Sequence, residues 1–526
     1  MKLTLPHAPI LSLAQAKELE EEYFADDSDK QWEVMTHAGE AVADSALRDM
    51  RELRTIPHRP RLLVLVGKGH NGADALIATR RFLRTIPTSR AVVWPWAPKE
   101  DCRELTGRTF EELIDFAPKR IELLSPAMQM DQAEIVETFS KACLDRGFDL
   151  LIDGVLGMQG RPGLPNPMDI WFELLNQSEQ ISVRVAVDLP SGISEAGLPK
   201  AEALRADFTY CTGIAKYPVT VEANQSWVGR LRYLDLGFFQ NHPPEKWGNC
   251  PKVLASSALS TLRRLRPAHC DKRSFGHLLV LAGSRELGGA AMMTVRGALR
   301  AGVGLVTCCV PESLHSAMVA SCPEAMWIPM PETPTGALAL EGLGQVHGLL
   351  KRATALVAGP GIGTEGESHA LIREVCKLFS GPILLDADGL RPEIIDSLQS
   401  LEKIVLTPHA GELARLLGKE SPDEFTSSFP GILLCKGAHP QIHCSDSLLH
   451  LFGGSSLLAR GGSGDLLSGI IGALIARGSR SLVDCVALGA LWHGRAAEVL
   501  ARQHGQEAVC STQILDYLSF ALRNDF

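Results

Sequence analysis

Short apolar runs closed by Gly, Pro or Asp recur along the first half of the chain: RLLVLVG (61–67), RAVVWPW (90–96), FDLLID (148–153) and VRVAVD (183–188). Runs of this length without polar alternation predict strands buried on both faces. Helical patterns between them, such as 74–83, predict the crossovers of a parallel sheet. After GRLRYLDLGFF (229–239) the pattern stops in a polar, Pro-rich stretch, which predicts a linker over 241–250. A second series follows: HLLVLAG (277–283), GLVTCCV (304–310), ALVAGPG (355–361), PILLDAD (382–388), KIVLTPH (403–409) and GILLCKG (431–437). The halves share no alignable period, so two α/β domains are predicted rather than a repeat array. Residues 1–240 are expected to form a Rossmann-like three-layer α/β/α domain, and residues 251–526 a second α/β domain.

Composition supports this picture and narrows the partners. Hydrophobic residues make up 45% of the 526 and charged residues 21%, enough apolar content for full cores. The net charge is −9 and no stretch is basic enough to follow a phosphate backbone, which argues against a nucleic-acid partner. The 13 cysteines are odd in number, scattered and without a CxxC pair, which points to a reducing compartment. The first residues lack a signal peptide's apolar core, and the longest strongly apolar stretch, around 466–476, is too short to span a bilayer. A cytoplasmic protein with no membrane partner is expected.

The first glycine cluster, GKGHNG (67–72), matches GxGxxG after a strand. A dinucleotide-binding unit also needs an acid closing its second strand, and here the next acid is Glu100, beyond a proline and a lysine. The loop still offers N–H donors to an anion; alternatively it is a tight turn with Asn71 or Asp74 capping a helix. Asp153 and Asp188 close two further strands, and Ser191 follows the second. Each aspartate alone is as readily a turn residue. Together, Asn71, Asp153 and Ser191 are oxygen ligands suited to a hard cation.

GKGHNGAD, DGVLG and VDLPSGI are similar to the motifs of the NAD(P)H-hydrate epimerase domain, over about 10–240. The resemblance implies potassium bound by Asn71, Asp153 and Ser191. It implies contacts to a hydrated nicotinamide nucleotide from His70, Asn71, Gly72, Ala73 and Asp74. Further contacts would come from Gly157, Met158, Gln159, Gly160, Arg161, Pro162 and Gly163, and from Asp188. Lys216, in GIAKYP, falls where that family has a lysine near the reacting ring, which makes Asp188 and Lys216 acid/base partners; a surface lysine is the alternative. His70 and Ala73 replace the family's asparagine and glycine, and alanine reaches φ > 0 less readily than glycine.

In the second half, GGSGD (461–465) precedes an apolar helical run. Small residues before a helix expose N–H donors for a phosphate or an oxyanion. Asp465, in the first turn, is placed to take a proton from a hydroxyl, or simply to stabilise the helix N-terminus. No GxxxxGK[ST] occurs, so this is not a P-loop. With the segments at 281–307, AGPGIG (358–363), LLDADGL (384–390), LTPHAGELARLLG (406–418) and LCKGAH (434–439), the half resembles ribokinase-like enzymes. Among these it is most similar to the ADP/ATP-dependent NAD(P)H-hydrate dehydratase, over about 250–526. The resemblance places Ala290, Gly363, His409 and Asp465 at the hydrated nucleotide. It places Lys436, Gly437, Ala438, His439, Pro440 and Gly464 at ADP or ATP, which carries Mg²⁺. Asp386 and Asp388 read most simply as strand-end turn residues, the alternative being a role behind the residues that touch substrate. Asp271-Lys272-Arg273, Arg391 and Gly454-Ser455-Ser456 depart from that family's usual residues.

Together the two resemblances are those of bifunctional NAD(P)H-hydrate repair enzymes, acting on hydrated NADH and NADPH. They imply epimerisation of R and S forms, then dehydration of the S form through a phosphorylated intermediate, by a homo-oligomer. The alternative reading is a ribokinase-like kinase for a vitamin-precursor alcohol, with a non-catalytic nucleotide-binding N-terminal domain.

Overall fold

A computed structural model describes residues 3–25, 27–143, 146–158, 164–197, 203–239, 244–445 and 447–523. The chain divides into two compact units, Ala8–Val253 and Leu254–Phe526, the latter joined by Met1–His7.

In the N-terminal unit seven parallel strands lie in the order Ile121–Leu123, Arg90–Pro95, Arg61–Val66, Leu150–Gly154, Arg184–Val187, Phe208–Thr212, Arg230–Leu234. Every position of Arg61–Val66 is buried. Leu62, Val64 and Val66 enter one hydrophobic cluster, and Leu63 and Leu65 enter another on the opposite face. A two-residue period feeding two cores is why this run needs no polar alternation. Helices Ser28–Asp49 and His70–Thr85 cover the first face, through Val42, Ala46, Leu76 and Phe82. Helices Gln132–Cys143 and Met168–Gln177 cover the second, through Phe139, Trp171 and Phe172. The first of these four starts at Asp27, whose carboxylate accepts from the backbone N–H of Asp29 and Lys30. All four sequence-predicted strands form. Ile121–Leu123, short and largely exposed, and Phe208–Thr212, rich in Thr, carry no aliphatic run to announce them.

In the C-terminal unit seven parallel strands run Met326–Met330, Leu305–Pro311, His277–Leu281, Ala355–Ala358, Ile383–Leu385, Ile404–Leu406, Ile432–Cys435. Gln441–Cys444 and Ser447–His450 follow as an antiparallel hairpin. Leu278 and Val280 face one core, Leu279 and Leu281 the other. The apolar stretch near 466–476 is the helix Ser463–Ala476, buried along nearly its whole length. No helix of the described residues is long and apolar enough to cross a membrane. All 13 cysteines are free.

Two boundaries differ from the sequence reading. The segment from Leu3 to His7 belongs with the C-terminal unit: Leu3 and Leu5 are buried in its core. Thr4 donates to the buried Asp484 through its backbone N–H (3.0 Å) and its hydroxyl (2.6 Å). The expected linker is only partly one. Residues 241–243 lie outside the described residues, and Trp247 and Cys250 pack on Leu11, Leu19, Ile214 and Phe238 of the N-terminal unit. The entry and exit of that unit run side by side, with Ile10 N–H donating to the Pro251 carbonyl at 2.7 Å.

Candidate active sites

Each sheet reverses its strand order at one strand, Arg61–Val66 in the first unit and His277–Leu281 in the second. Ligands of open α/β sheets bind beyond the carboxyl ends of strands at such reversals; of the sequence-predicted residues, Asn71, Asp153 and Asp188 stand at or just beyond strand ends in the first unit, and Gly363, His409 and Lys436 in the second.

In the N-terminal unit, Gly67 packs its backbone on the loop after Leu150–Gly154: a Cβ on Gly67 would fall 1.8 Å from the Val155 carbonyl oxygen. Helix His70–Thr85 begins directly after Gly69, four residues earlier than the periodicity suggested. Ala73 is therefore a buried helical residue with no call for positive φ, so its replacement of glycine needs no strained backbone. His70 is half-buried, with Nδ1 3.5 Å from Gln31 Nε2. Burial, and then Arg103, push its imidazole below the ordinary range.

Asn71, Asp153 and Ser191 do come together. Ser191 donates to Asp153 through its hydroxyl (2.6 Å) and backbone N–H (2.8 Å). Asn71 Nδ2 donates to the Leu156 carbonyl at 3.0 Å, and Leu156 N–H donates to Ser191 Oγ at 2.7 Å. Gly157 lies against Asn71, where a Cβ would be 3.5 Å from that of the asparagine. Burial lifts Asp153 to about 6, against the opposing bonds from Ser191 and Val155. Met158 packs on the cluster around Leu11, while Gln159, Gly160, Arg161, Pro162 and Gly163 lie outside the described residues.

Asp188 follows its strand with φ 65°, a conformation that a non-glycine residue rarely adopts and that costs about 1–3 kcal/mol. The turn aims its carboxylate at Lys216, whose ammonium donates to Oδ1 at 2.7 Å. Lys216 is only 2% exposed, so it is no surface lysine. Burial pulls its pKa down, but Asp188 and Glu20 outweigh that and hold it above the ordinary value. Glu20, from helix Leu13–Phe24, was not singled out by the sequence reading. Burial raises it to about 7 despite Lys216, and Asp188 adds to the rise. Asp74 is pushed well up by burial, then by Asp188 and Glu20, and its buried Oδ1 has no hydrogen-bond partner among the described residues.

In the C-terminal unit, Gly462 takes φ 85° as the N-cap of Ser463–Ala476, and Asp465 stands in the first turn. Burial, and then Asp386, raise Asp465 to about 7, with Lys436 opposing. Lys436, at the end of Ile432–Cys435, is tied by its N–H to the Pro408 carbonyl (2.8 Å) and by its ammonium to Asp386 (2.7 Å). Gly437, Ala438, His439 and Pro440 form the turn into the hairpin. A Cβ on Gly464 would sit 3.4 Å from Lys436 Nζ. Gly363 donates its N–H to Asp388 at 3.0 Å, and Ala290 packs on the same loop, 2.7 Å from where a Gly361 Cβ would lie. Asp388 thus binds a backbone group across the site.

His409 caps helix Ala410–Leu417: Nδ1 accepts from Gly411 N–H (3.0 Å) and Glu412 N–H (3.3 Å). That bonding leaves the proton on Nε2, 3.2 Å from Glu412 Oε1, and the ring stays 60% exposed. Asp271 caps the exposed turn Lys272–Phe275.

Comparisons with known proteins cover both units. A family profile described as NAD(P)H-hydrate dehydratase matches residues 278–519. One described as YjeF-related protein N-terminus matches residues 31–217. The bifunctional NAD(P)H-hydrate repair enzyme Nnr of Moorella thermoacetica is 31% identical over 509 residues, covering 93% of this chain and 92% of the relative. That of Gloeobacter violaceus is 34% identical over 471 residues, covering 85% of each. Among solved structures, the ADP/ATP-dependent NAD(P)H-hydrate dehydratase of Bacillus subtilis, co-crystallised with ATP/Mg²⁺, matches with a TM-score of 0.44 at 22% identity, over 51% of this chain and 96% of its own. At more than 30% identity across nearly the full length of such relatives, the chain belongs to the bifunctional NAD(P)H-hydrate repair enzyme family.

Proposed function

We propose that the N-terminal unit interconverts the R and S epimers of hydrated NADH and NADPH, and that the C-terminal unit dehydrates the S form with ADP or ATP. The observation that carries this reading is Asp465, a carboxyl with a pKa of about 7 at the head of a buried helix, behind an open glycine loop. Such a carboxylate takes the proton of the ring hydroxyl as its oxygen attacks the terminal phosphorus of the nucleotide. The new O–P bond replaces the bridging one, releasing AMP or ADP. Loss of a ring proton and cleavage of the C–O bond then expel inorganic phosphate, a far better leaving group than hydroxide. N–H groups of Gly461–Gly464 and the Lys436 ammonium meet the transferred charge. Mg²⁺ arrives on the nucleotide's phosphates. Ala290, Gly363 and His409 are assigned to the hydrated nucleotide.

For epimerisation, Asp188 and Lys216 exchange the protons that open and reclose the hydrated carbon, and Glu20 supplies a further carboxyl that holds its proton to about pH 7. Asn71, Asp153, Ser191 and the Leu156 carbonyl fit potassium: they offer oxygen donors, and among the described residues no cationic side chain pairs with the buried Asp153. Bound there, potassium would offset that charge and fix the start of helix His70–Thr85 and Gly157 beside it. The free cysteines support a cytoplasmic setting. The test is incubation with hydrated NADH and either ADP or ATP. Recovery of reduced-nicotinamide absorbance with release of inorganic phosphate is expected. A stable phosphorylated product would overturn the reading.

A further inference from the structure

Asp386 has no part in the chemistry above, yet it is bound from two sides at the dehydratase site. It is 1% exposed, and accepts from Lys436 Nζ at 2.7 Å and from Ser468 Oγ at 2.6 Å. Ser468 stands one turn beyond Asp465 on the same helix, so the base and the bracket share one rigid element. A Cβ on Gly464 would lie 3.4 Å from Lys436 Nζ and 4.0 Å from Asp386 Oδ2, which places both beneath the glycine loop. Ala387 takes φ 53°, a left-handed conformation that alanine avoids. That turn lets Asp386 reach Lys436 and Ser468 while Asp388 binds Gly363 N–H.

We propose that Asp386 is a positioning residue for dehydration: with Ser468 it fixes the Lys436 ammonium under the Gly461–Asp465 loop, and so sets the charge balance around the base. This rests on Asp465 as that base. The titratable groups facing Asp465 are Asp386 and Asp388 from one strand end, Lys436 from another and Glu412 from helix Ala410–Leu417. His493, from helix Leu482–His504, faces Lys436 and is neutral at pH 7, since burial lowers it to about 4.

The test is the pH profile of dehydration in full-length D386N and K436M at saturating nucleotide. D386N removes a negative neighbour and frees a cation, so the acid limb governed by Asp465 moves down by about one pH unit, tenfold in rate at a fixed acidic pH. K436M removes the cation, so the limb moves up. The double variant D386N/K436M removes both charges together, leaves no unpaired buried charge if D386N alone folds poorly, and returns the limb towards its wild-type position. Opposite displacements with this return support the role. Limbs that stay in place, or move the same way in both single variants, overturn it. Wild-type turnover by D465N overturns the base, and this proposal with it. An inactive wild type with hydrated NADH and ADP or ATP overturns the functional reading itself.

Discussion

The two units use the same electrostatic parts for different work. Each pairs a lysine with an aspartate at 2.7 Å beyond the ends of parallel strands: Asp188 with Lys216, and Asp386 with Lys436. Each sets a third carboxyl beside the pair with a pKa near 7, Glu20 in one and Asp465 in the other. Each forces a non-glycine residue to positive φ to aim its carboxylates, Asp188 itself and Ala387. In our reading the N-terminal pair acts directly on substrate, whereas in the C-terminal pair Asp386 is scaffolding for Lys436 and the third carboxyl is the base. A buried ion pair is weak evidence for stability, because desolvation offsets much of its attraction. What it fixes here is where one charge stands relative to another, and different members of the trio then become available for chemistry.

The comparison breaks if the sites do not separate. D465N is expected to lower kcat for dehydration by ~10²–10⁴ and to leave epimerisation intact; D188N should do the reverse. On a mixed-epimer preparation, D188N enzyme should dehydrate one epimer quickly and then slow to the spontaneous rate, while D465N enzyme recovers reduced nicotinamide only at its much lowered rate throughout. Equal damage to both activities by either variant would refute separate sites.

A smaller effect tests the third carboxyls. Asp465 must be ionised to act as a base, and its folded pKa is raised, so dehydration should fall about tenfold per pH unit below about 7 and level off above it. Epimerisation should also bend near pH 7 if Glu20 faces the reaction. E20Q is then expected to remove that bend and slow epimerisation by about tenfold or less, the worth of one pKa unit of interaction. An unchanged bend would make Glu20 a structural neighbour only.

The smallest effect concerns the shared boundary. T4V deletes the hydroxyl bond to buried Asp484, and should destabilise the C-terminal unit by about 1 kcal/mol without touching epimerisation. Thermal unfolding followed by loss of each activity checks it.

How much of this was legible follows from where each signal sits in the chain. Asp465 could be read because four small residues and a buried helix surround it in sequence. The central strands could be read because burial on both faces leaves an uninterrupted aliphatic run. Glu20 could not: it is one of four glutamates in LAQAKELEEEYF, and only tertiary packing distinguishes it from its neighbours. It also precedes the residues matched by the epimerase-side profile. Asp386 looked like a turn residue because its partners, Lys436 and Ser468, lie 50 and 82 positions away. Ala73 looked like a strained substitution because the helix was expected to start at 74 and not at 70. Edge strands such as Met326–Met330, with a proline inside, give no run to read.

The placement of residues 3–7 has a consequence for how the molecule is made. Leu3 and Leu5 are synthesised before the whole N-terminal unit, yet the core that buries them is assembled from residues 254 onward. The unit between can close as soon as Pro251 meets Ile10. At ~5–20 residues per second, these leucines wait roughly half a minute to two minutes for their partners. In topological terms the N-terminal unit is an insertion near the start of its neighbour. A polar substitution at Leu3 or Leu5 therefore acts on the dehydratase and not on the unit that directly follows them in the chain.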